Sequence, residues 1–172
     1  MGHNINAIIG GRETLARLIE QFGSPKPTEI PFDLIIVPLD EQRLDVLATS
    51  TEPSFDGFTY LTPTMVAEIG RKLGAGPALY IETEYHGGTG GQGAALFNDG
   101  MLVWRRTEST PSVDVSRPWL ARLFRLRARP AKSPISEGLA NLGVVVSGDE
   151  DEFDRVELRK FRSLEALGLV GH

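Results

Sequence analysis

Hydrophobic positions along the first half of the chain follow two different spacings, and each spacing predicts one kind of element. Ile5 to Gly10 is a short apolar run, and Leu34 to Val37 is a second, continuous one. Such runs are typical of strands, and a continuous run favours a strand that is covered on both faces. Spacings of three, four and seven residues predict amphipathic helices over Arg12 to Phe22 and over Asp40 to Leu47. A proline-rich link, Pro25 to Pro31, precedes the second strand.

A third helix is predicted to begin at Thr62-Pro63, because threonine can cap a helix and proline is tolerated at the first helical position. The next strand is predicted over Ala78 to Tyr85, where residue types alternate. Since side chains of a strand point to opposite faces in turn, Glu82 and Glu84 should share one face. The buried stripe of the helix should consist of Met65, Val66, Ile69 and Leu73.

The clearest local signal is a hairpin centred on Asp99-Gly100, a pair of residues typical of a type I′ turn. Strands are predicted on either side of it, over Ala94 to Phe97 and Met101 to Arg106. With a two-residue turn, Phe97 should lie opposite Leu102 and Ala95 opposite Trp104.

The last third of the chain shows weaker patterns. Thr107 to Ser116 is predicted to be a loop, and Ile135 to Leu142 a short helix. Val144 to Val146 is consistent with either a short strand or a buried turn, and Phe153 to Leu169 with an irregular, partly helical tail. The pattern predicts an α+β fold, with a mainly antiparallel sheet of four to five strands and helices packed on one face.

Composition narrows the classes of protein that this chain can represent. Its 172 residues suit a single domain, 1–172, with a basic insertion or flexible segment at about 107–134. A net charge of −5 argues against a nucleic-acid-binding protein. The absence of cysteine excludes disulfides, thiolate zinc sites and a cysteine nucleophile. Because we find neither a signal-peptide pattern nor an apolar run of ~20 residues, we expect a cytoplasmic protein.

A glycine-rich loop precedes the hairpin. A phosphate-binding loop of the dinucleotide type would open directly into a helix, and a P-loop would carry a lysine and a hydroxyl. Here a strand follows, so the glycines form either a bulged connection between strands or a recognition element that a partner can approach closely. The loop contains Gly87, Gly88, Gly90, Gly91 and Gly93.

Two acids and a histidine lead into this loop. Glu82, Glu84 and His86 are spaced two residues apart, which puts them on one face of a strand at steps of about 7 Å. The set either holds a metal ion, with His3 as a conceivable further ligand, or marks the solvated face of the sheet. No Ser-His-Asp arrangement or nucleophile elbow can be assembled, so we predict neither catalytic residues nor a cofactor.

Charge is segregated near the C-terminus. The segment Arg117 to Lys132 has six basic residues and no acid, whereas Asp149 to Glu157 has six acids and one arginine. The two runs either attract each other within the fold or face partners. The basic run would favour an anionic membrane surface, a nucleic acid or a protein, and we expect a protein. Its central residues are Arg122, Arg125, Arg127 and Arg129.

The hairpin region also resembles a known group of sequences. The motif E-T-[DE]-Y-x-G-G-x-G-x-Q begins at Glu82 and ends at Gln92, and Ala94-Ala95 and Asn98-Asp99-Gly100 continue it. With Asp151 to Asp154 and Phe161-Arg162-Ser163, it is similar to small, uncharacterised bacterial proteins that themselves resemble immunity proteins of contact-delivered toxins. The resemblance covers about a quarter of the chain. The chain departs from the pattern of that group in the basic segment between Trp104 and Ile135, and at His86, where an aromatic residue is expected.

The favoured hypothesis is a non-enzymatic protein-binding module, an immunity-like inhibitor whose partner is a cognate toxin. An acidic face would bind a basic protein surface. The alternative is a small metal-dependent enzyme or ligand-binding protein that uses Glu82, Glu84 and His86. The predicted partner-binding residues are Glu82, Glu84, His86, Gly87, Gly88, Gly90, Gln92, Asp151 and Glu152.

Overall fold

In the described part of the chain, six antiparallel strands form one sheet: β1 (His3–Gly11), β2 (Thr28–Ile30), β3 (Leu34–Pro38), β4 (Pro77–His86), β5 (Thr89–Asn98) and β6 (Met101–Ser109). Their order across the sheet is β2-β3-β1-β4-β5-β6. The computed structural model describes residues 3–22, 27–48, 52–86, 89–109 and 132–169. The predicted α+β fold is confirmed, although the sheet has six strands rather than four or five. The additional strand, β2, lies within the proline-rich link.

Five helices are found in the described ranges. Two of them begin at a capping residue. Asp40 caps the helix Glu41–Leu47 and Thr62 caps the helix Pro63–Lys72, and each side chain accepts the backbone N–H of the residue three positions later. Two short 3₁₀ turns, Leu158–Lys160 and Glu165–Leu167, complete the irregular tail. The helices are α1 (Ala16–Phe22), α2 (Glu41–Leu47), α3 (Pro63–Lys72), α4 (Pro134–Asn141) and α5 (Glu152–Arg155).

Helical segments cover both faces of the sheet, so the prediction that they pack on one face was wrong. The first face, which carries Ile8 and Tyr80, packs against α1, α2 and α3. The second face, which carries Ile9 and Leu79, packs against α4 and the C-terminal tail. The physical reason is the apolar character of β1, where residues 5 to 10 are all buried. A strand that is apolar on both faces needs cover on both.

The hairpin between β5 and β6 confirms the predicted turn but only one of its two predicted pairs. Asp99 and Gly100 both have positive φ, +50° and +76°, as a type I′ turn requires. Phe97 lies opposite Leu102, but Leu96 rather than Ala95 lies opposite Trp104. The register shifts here because Val103 is an extra residue with no partner across the strand, and it is 57% exposed.

The structure agrees with only some of the remaining predictions for the C-terminal third of the chain. Residues 107 to 109 belong to β6 and not to the predicted loop. Val144 is buried, but residues 144 to 147 form no strand. Residues 110 to 131, which contain most of the basic segment, lie outside the described ranges. None of the helices that the structure describes has the length and apolar character needed to cross a membrane.

Candidate functional site

Polar residues replace apolar ones at one end of the first face of the sheet. In the last apolar row across the strands, Ile8 lies opposite Tyr80, and Tyr80 opposite Ala95. The next row consists of Asn6, Glu82 and Gly93, and the row after it of Asn4, Glu84 and Gly91. Because side chains on one face of a sheet recur every second residue, these two rows form one continuous polar surface beyond the helical layer.

Glu82 is buried beneath a loop and binds that loop. Its Oε1 accepts hydrogen bonds from the backbone N–H of Tyr60 at 3.1 Å and of Leu61 at 2.9 Å, and from the Tyr80 hydroxyl at 2.7 Å. Its Oε2 accepts the N–H of Thr59 at 2.7 Å. With only 7% of Glu82 exposed, the interpretation that it marks the solvated face of the sheet was wrong, whereas its assignment as a partner-binding residue stays a prediction.

The four donors to Glu82 are all neutral. Three are backbone amides and the fourth is the hydroxyl of Tyr80, whose pKa is raised well above its ordinary value by burial and by the adjacent carboxylate. A carboxylate that receives four donors has the bonding pattern of the ionised form. No lysine, arginine or histidine in the described ranges pairs with it. Among the described residues, the Glu82 carboxylate is therefore held by neutral donors alone.

A cavity of about 220 Å³ opens above these polar rows. Its lining includes Asn6, Glu82, Glu84 and Tyr60, and none of the described residues that line it is basic. A second cavity of about 490 Å³ adjoins it and extends toward α2 and Leu169. The two cavities share Asn4, Asn6 and Tyr60, so together they form a groove, which we call the Asn4–Asn6 groove.

Asn6 is the residue of this groove that sequence reasoning missed. It is 7% exposed, and its backbone carbonyl accepts the N–H of Leu39 at 2.8 Å. Its side chain contributes to the lining of both cavities. The sequence does contain a signal for it. β1 begins with Asn-Ile-Asn, so polar residues interrupt an apolar strand on the face that carries Glu82.

Two glycines of the loop, Gly91 and Gly93, line the cavity without contributing side chains. A Cβ atom on Gly93 would lie 2.6 Å from the Phe58 ring, and one on Gly90, whose φ is +151°, would lie 1.9 Å from the Glu84 carbonyl oxygen. Close packing thus requires glycine at both positions. Gln92 also lines the cavity, and its amide donates to the Glu108 carboxylate at 3.4 Å.

The acidic tail does not join this surface. Its helix α5 packs on the second face of the sheet, where Glu152 is 2% exposed and forms an ion pair with Lys132. The prediction of Glu152 as a partner-binding residue is therefore wrong, since its carboxylate is buried and neutralised. Asp151 is exposed and caps α5 by accepting the N–H of Asp154 at 2.8 Å. Other acids of the tail pair with basic neighbours, such as Asp154 with Arg159 at 2.7 Å.

The metal site predicted around Glu82 and Glu84 loses one of its candidate ligands. His3 lies on the second face, where its Nδ1 contacts the Thr83 hydroxyl at 2.8 Å and its Nε2 the Leu158 carbonyl at 3.3 Å. Within the described ranges, no group of three histidines or acids is arranged to hold a metal ion. His86 pairs with Thr89 through its backbone. The His86 side chain, Gly87, Gly88, Arg122, Arg125, Arg127 and Arg129 lie outside the described part of the chain.

Comparison with known proteins identified no family model, no curated protein and no solved structure that matches this chain. The chemistry of the groove is therefore the basis for a function. Side-chain amides can both donate and accept hydrogen bonds, and the two glutamates add negative charge. The arrangement is suited to holding a polar or cationic group between Asn6, Glu82 and Glu84.

Proposed function

We propose that this chain is a non-enzymatic protein-binding module and that its partner binds in the Asn4–Asn6 groove. The observation that carries the proposal is the polar end of the first sheet face, which the helical layer leaves uncovered. Two adjoining cavities, about 220 and 490 Å³, follow this polar end of the sheet from Gly93 to α2.

The spacing of the two asparagines supports a peptide segment as the occupant. Asn4 and Asn6 are two residues apart on one strand, which separates their side chains by about 7 Å. An extended peptide repeats its outward-facing backbone groups over the same distance. Each amide offers both a donor and an acceptor, so the pair can bond to alternate residues of a partner's main chain.

The more specific form of the proposal is an immunity-like inhibitor of a bacterial toxin that acts in the cytoplasm. Its support is the resemblance of the hairpin motif, from Glu82 to Gln92, to proteins of that type. Of the acids first assigned to the binding surface, Glu84 lines the groove and is exposed. Acidic groups at the binding surface would steer association with a basic toxin.

Site-specific photo-crosslinking tests the protein-binding function. A photoreactive residue replaces Tyr60 in the groove, and a matched variant carries it at Val145, an exposed apolar position on the C-terminal tail. In cells of the native host, we expect a discrete adduct from position 60 and none from position 145. No adduct at position 60, or the same adducts at both positions, would contradict the proposal. Identification of the adduct by mass spectrometry then tests whether the partner is a toxin.

The alternative, a small metal-dependent enzyme or ligand-binding protein that uses Glu82, Glu84 and His86, has less support. Four hydrogen bonds already engage the Glu82 carboxylate, which leaves it little capacity as a metal ligand. Calorimetric titration with zinc, manganese and nickel distinguishes the two functions. Heat that disappears in the Glu84→Gln variant would favour the alternative.

A further inference from the structure

We infer that β6 pairs with β6 of a second copy of this chain, so that two chains form one continuous antiparallel sheet with its two-fold axis at Thr107. Three features of the strand support this: a long open edge, arginines that are held over the faces of the sheet, and a charge pattern that favours one self-paired register. The interface contains none of the residues that line the Asn4–Asn6 groove, so its test is independent of the proposed function.

β6 is the longer of the two edge strands of the sheet. It has nine residues, whereas β2 at the opposite edge has three. One side of β6 pairs with β5, and none of the described residues forms a backbone hydrogen bond with its other side. Native sheets usually keep an edge strand short or cover it, because an open row of N–H and C=O groups is a template for another strand. The long edge of β6 is such a template.

A bulge limits which part of β6 can take up a further strand. The extra residue, Val103, interrupts the ladder near the hairpin turn, and a bulge twists an edge away from pairing. From Trp104 to Ser109, by contrast, every residue lies opposite a residue of β5 in unbroken register. We therefore expect a second copy to pair along this regular half.

The two arginines of the regular half are held over the faces of the sheet. The Cζ atom of Arg105 lies 3.9 Å from the centre of the Phe55 ring on the first face. Arg106 forms an ion pair with Glu137 of α4 on the second face. Charged side chains often protect an edge strand from pairing. Because both of these charges already have a partner within the chain, they oppose a neighbouring strand less.

Charge then selects the register. A two-fold axis perpendicular to the sheet places residues of the same face opposite each other, so the axis passes through one residue of the strand. At the interior positions Arg105, Arg106 and Glu108, that residue would face its own copy, and like charges directly opposite are destabilising. An axis at Thr107 instead sets Arg106 opposite Glu108 of the second copy, twice, with the two threonines facing each other. Both are stabilising kinds of cross-strand pair.

The same axis would bring two grooves onto one side of the continuous sheet. Thr107 lies opposite Gly93, in the row of the first face that also contains Asn6 and Glu82. Five strand spacings would separate the two Glu82 residues, a distance of about 24 Å. A partner that carries its binding segment twice could then occupy both grooves and bind more tightly than to a single chain.

Charge reversal tests the register. Sedimentation velocity of the full chain is measured from low micromolar to near-millimolar concentration, where we expect the wild type to pass from monomer to a weak dimer. Arg106→Glu and Glu108→Arg should each weaken the dimer about tenfold or more, because each sets two pairs of like charges opposite each other. The double variant exchanges the two charges and should dimerise as the wild type does.

Glu137→Gln is the matched control for the arginine. It removes the ion pair within the chain but leaves the proposed cross-strand pairs in place, so the dimer should be unchanged. A wild type that stays monomeric at every concentration would overturn the inference. So would a double variant that dimerises no better than the single ones, or a Glu137→Gln variant that is as weak as Arg106→Glu.

A single cysteine locates the axis. The chain has no cysteine of its own, so Thr107→Cys introduces the only thiol. Opposed residues of antiparallel strands have Cα atoms about 4.5–5.5 Å apart, a separation that a disulfide can span. Mild oxidation should therefore convert Thr107→Cys to a covalent dimer much faster than Glu20→Cys, an exposed position on α1. Equal rates in the two variants would place the interface elsewhere and overturn the assignment.

Discussion

The hydroxyl of Tyr80 donates a 2.7 Å hydrogen bond to Oε1 of Glu82, two positions further along the same face of β4. Both residues are buried, and Glu82 in turn holds the backbone of Thr59, Tyr60 and Leu61. The loop above the groove is thus fixed through two side chains of a single strand.

The first prediction concerns the stability that this pair provides. Tyr80→Phe removes one donor from a buried carboxylate and should lower the free energy of unfolding by about 1–3 kcal/mol, measured by urea denaturation. Glu82→Gln should cost more, because an NH₂ group would then face backbone N–H donors. Tyr60→Phe is the control, since that side chain is exposed, and we expect a change within about 0.5 kcal/mol. Wild-type stability in Glu82→Gln would contradict the assignment.

The same pair predicts a loss of stability at alkaline pH. Burial, followed by the charge of Glu82 and its hydrogen bond, raises the pKa of Tyr80 well above its ordinary value of 10.0. The unfolded chain therefore releases this proton first as the pH rises above 10, and the free energy of unfolding falls. Tyr80→Phe should show a shallower decline above pH 10 than the wild type in denaturation at a series of pH values. If the free energy of unfolding falls equally steeply in both proteins, Tyr80 does not contribute to the pH dependence.

His3 predicts a loss of stability on the acid side. Burial, the largest cause, lowers its pKa below the ordinary 6.5, and the positive charge of Arg162 acts in the same direction. The unfolded chain then binds the proton more readily than the folded one, so the free energy of unfolding falls as the pH drops through and below 6.5. His3→Gln should weaken this dependence.

The tautomer of His3 can be tested in the same experiment. A carbonyl oxygen only accepts, so in the neutral ring Nε2 carries the proton toward Leu158 and Nδ1 accepts from the Thr83 hydroxyl. Thr83→Val should therefore destabilise the protein at pH 8, where the ring is neutral. A pH dependence that is unchanged in both His3→Gln and Thr83→Val would contradict this account.

Alanine substitutions at two glycines can distinguish the stability cost of backbone strain from that of a steric clash. Gly100 and Gly143 both have positive φ, +76° and +92°. A Cβ on Gly100 would lie 2.5 Å from the Gly70 carbonyl oxygen in α3, whereas one on Gly143 would meet nothing within 4 Å. Gly143→Ala should cost about 1–2 kcal/mol, the cost of a left-handed residue. Gly100→Ala should cost distinctly more in urea denaturation, and equal costs would contradict the close approach.

The ion pair between Lys132 and Glu152 should behave non-additively. Lys132→Ala leaves a carboxylate that is 2% exposed without its cation, and we expect a loss of about 1 kcal/mol because the lysine itself is largely exposed. Adding Glu152→Gln removes the stranded charge and should recover part of that loss. If the change in the free energy of unfolding of the double variant equals the sum of the changes in the two single variants, the pair is not coupled.

Local signals in the sequence were sufficient for several elements. Thr62 and Pro63 predict the start of α3, and Asp99-Gly100 predicts the hairpin turn, because a cap and a turn depend only on residues next to them in the chain. The bulge at Val103 was not predicted, since nothing in the residue type distinguishes an extra residue from a paired one.

The candidate site depends on contacts that are distant in sequence. Glu82 binds loop residues that lie 21 to 23 positions earlier in the sequence. The alternation of residue types along β4 suggested instead that Glu82 lies on a solvated face. Asn6 comes beside it only because β1 pairs with β4, and no local pattern reports that pairing. The acids near Glu152 similarly look like a charged surface until the fold buries one of them against the sheet.

The position of β1 between β3 and β4 has a consequence for the order of events during synthesis. β1 leaves the ribosome before both of its neighbours in the sheet, and β3 soon follows to cover one of its edges. Its other edge stays open until residues 77–86 emerge, because β4 is its partner there. Until then the nascent chain would carry an apolar strand with one open edge, which is a state that invites aggregation. The central strand is thus made before both of its partners, and it stays half-paired until the second one emerges.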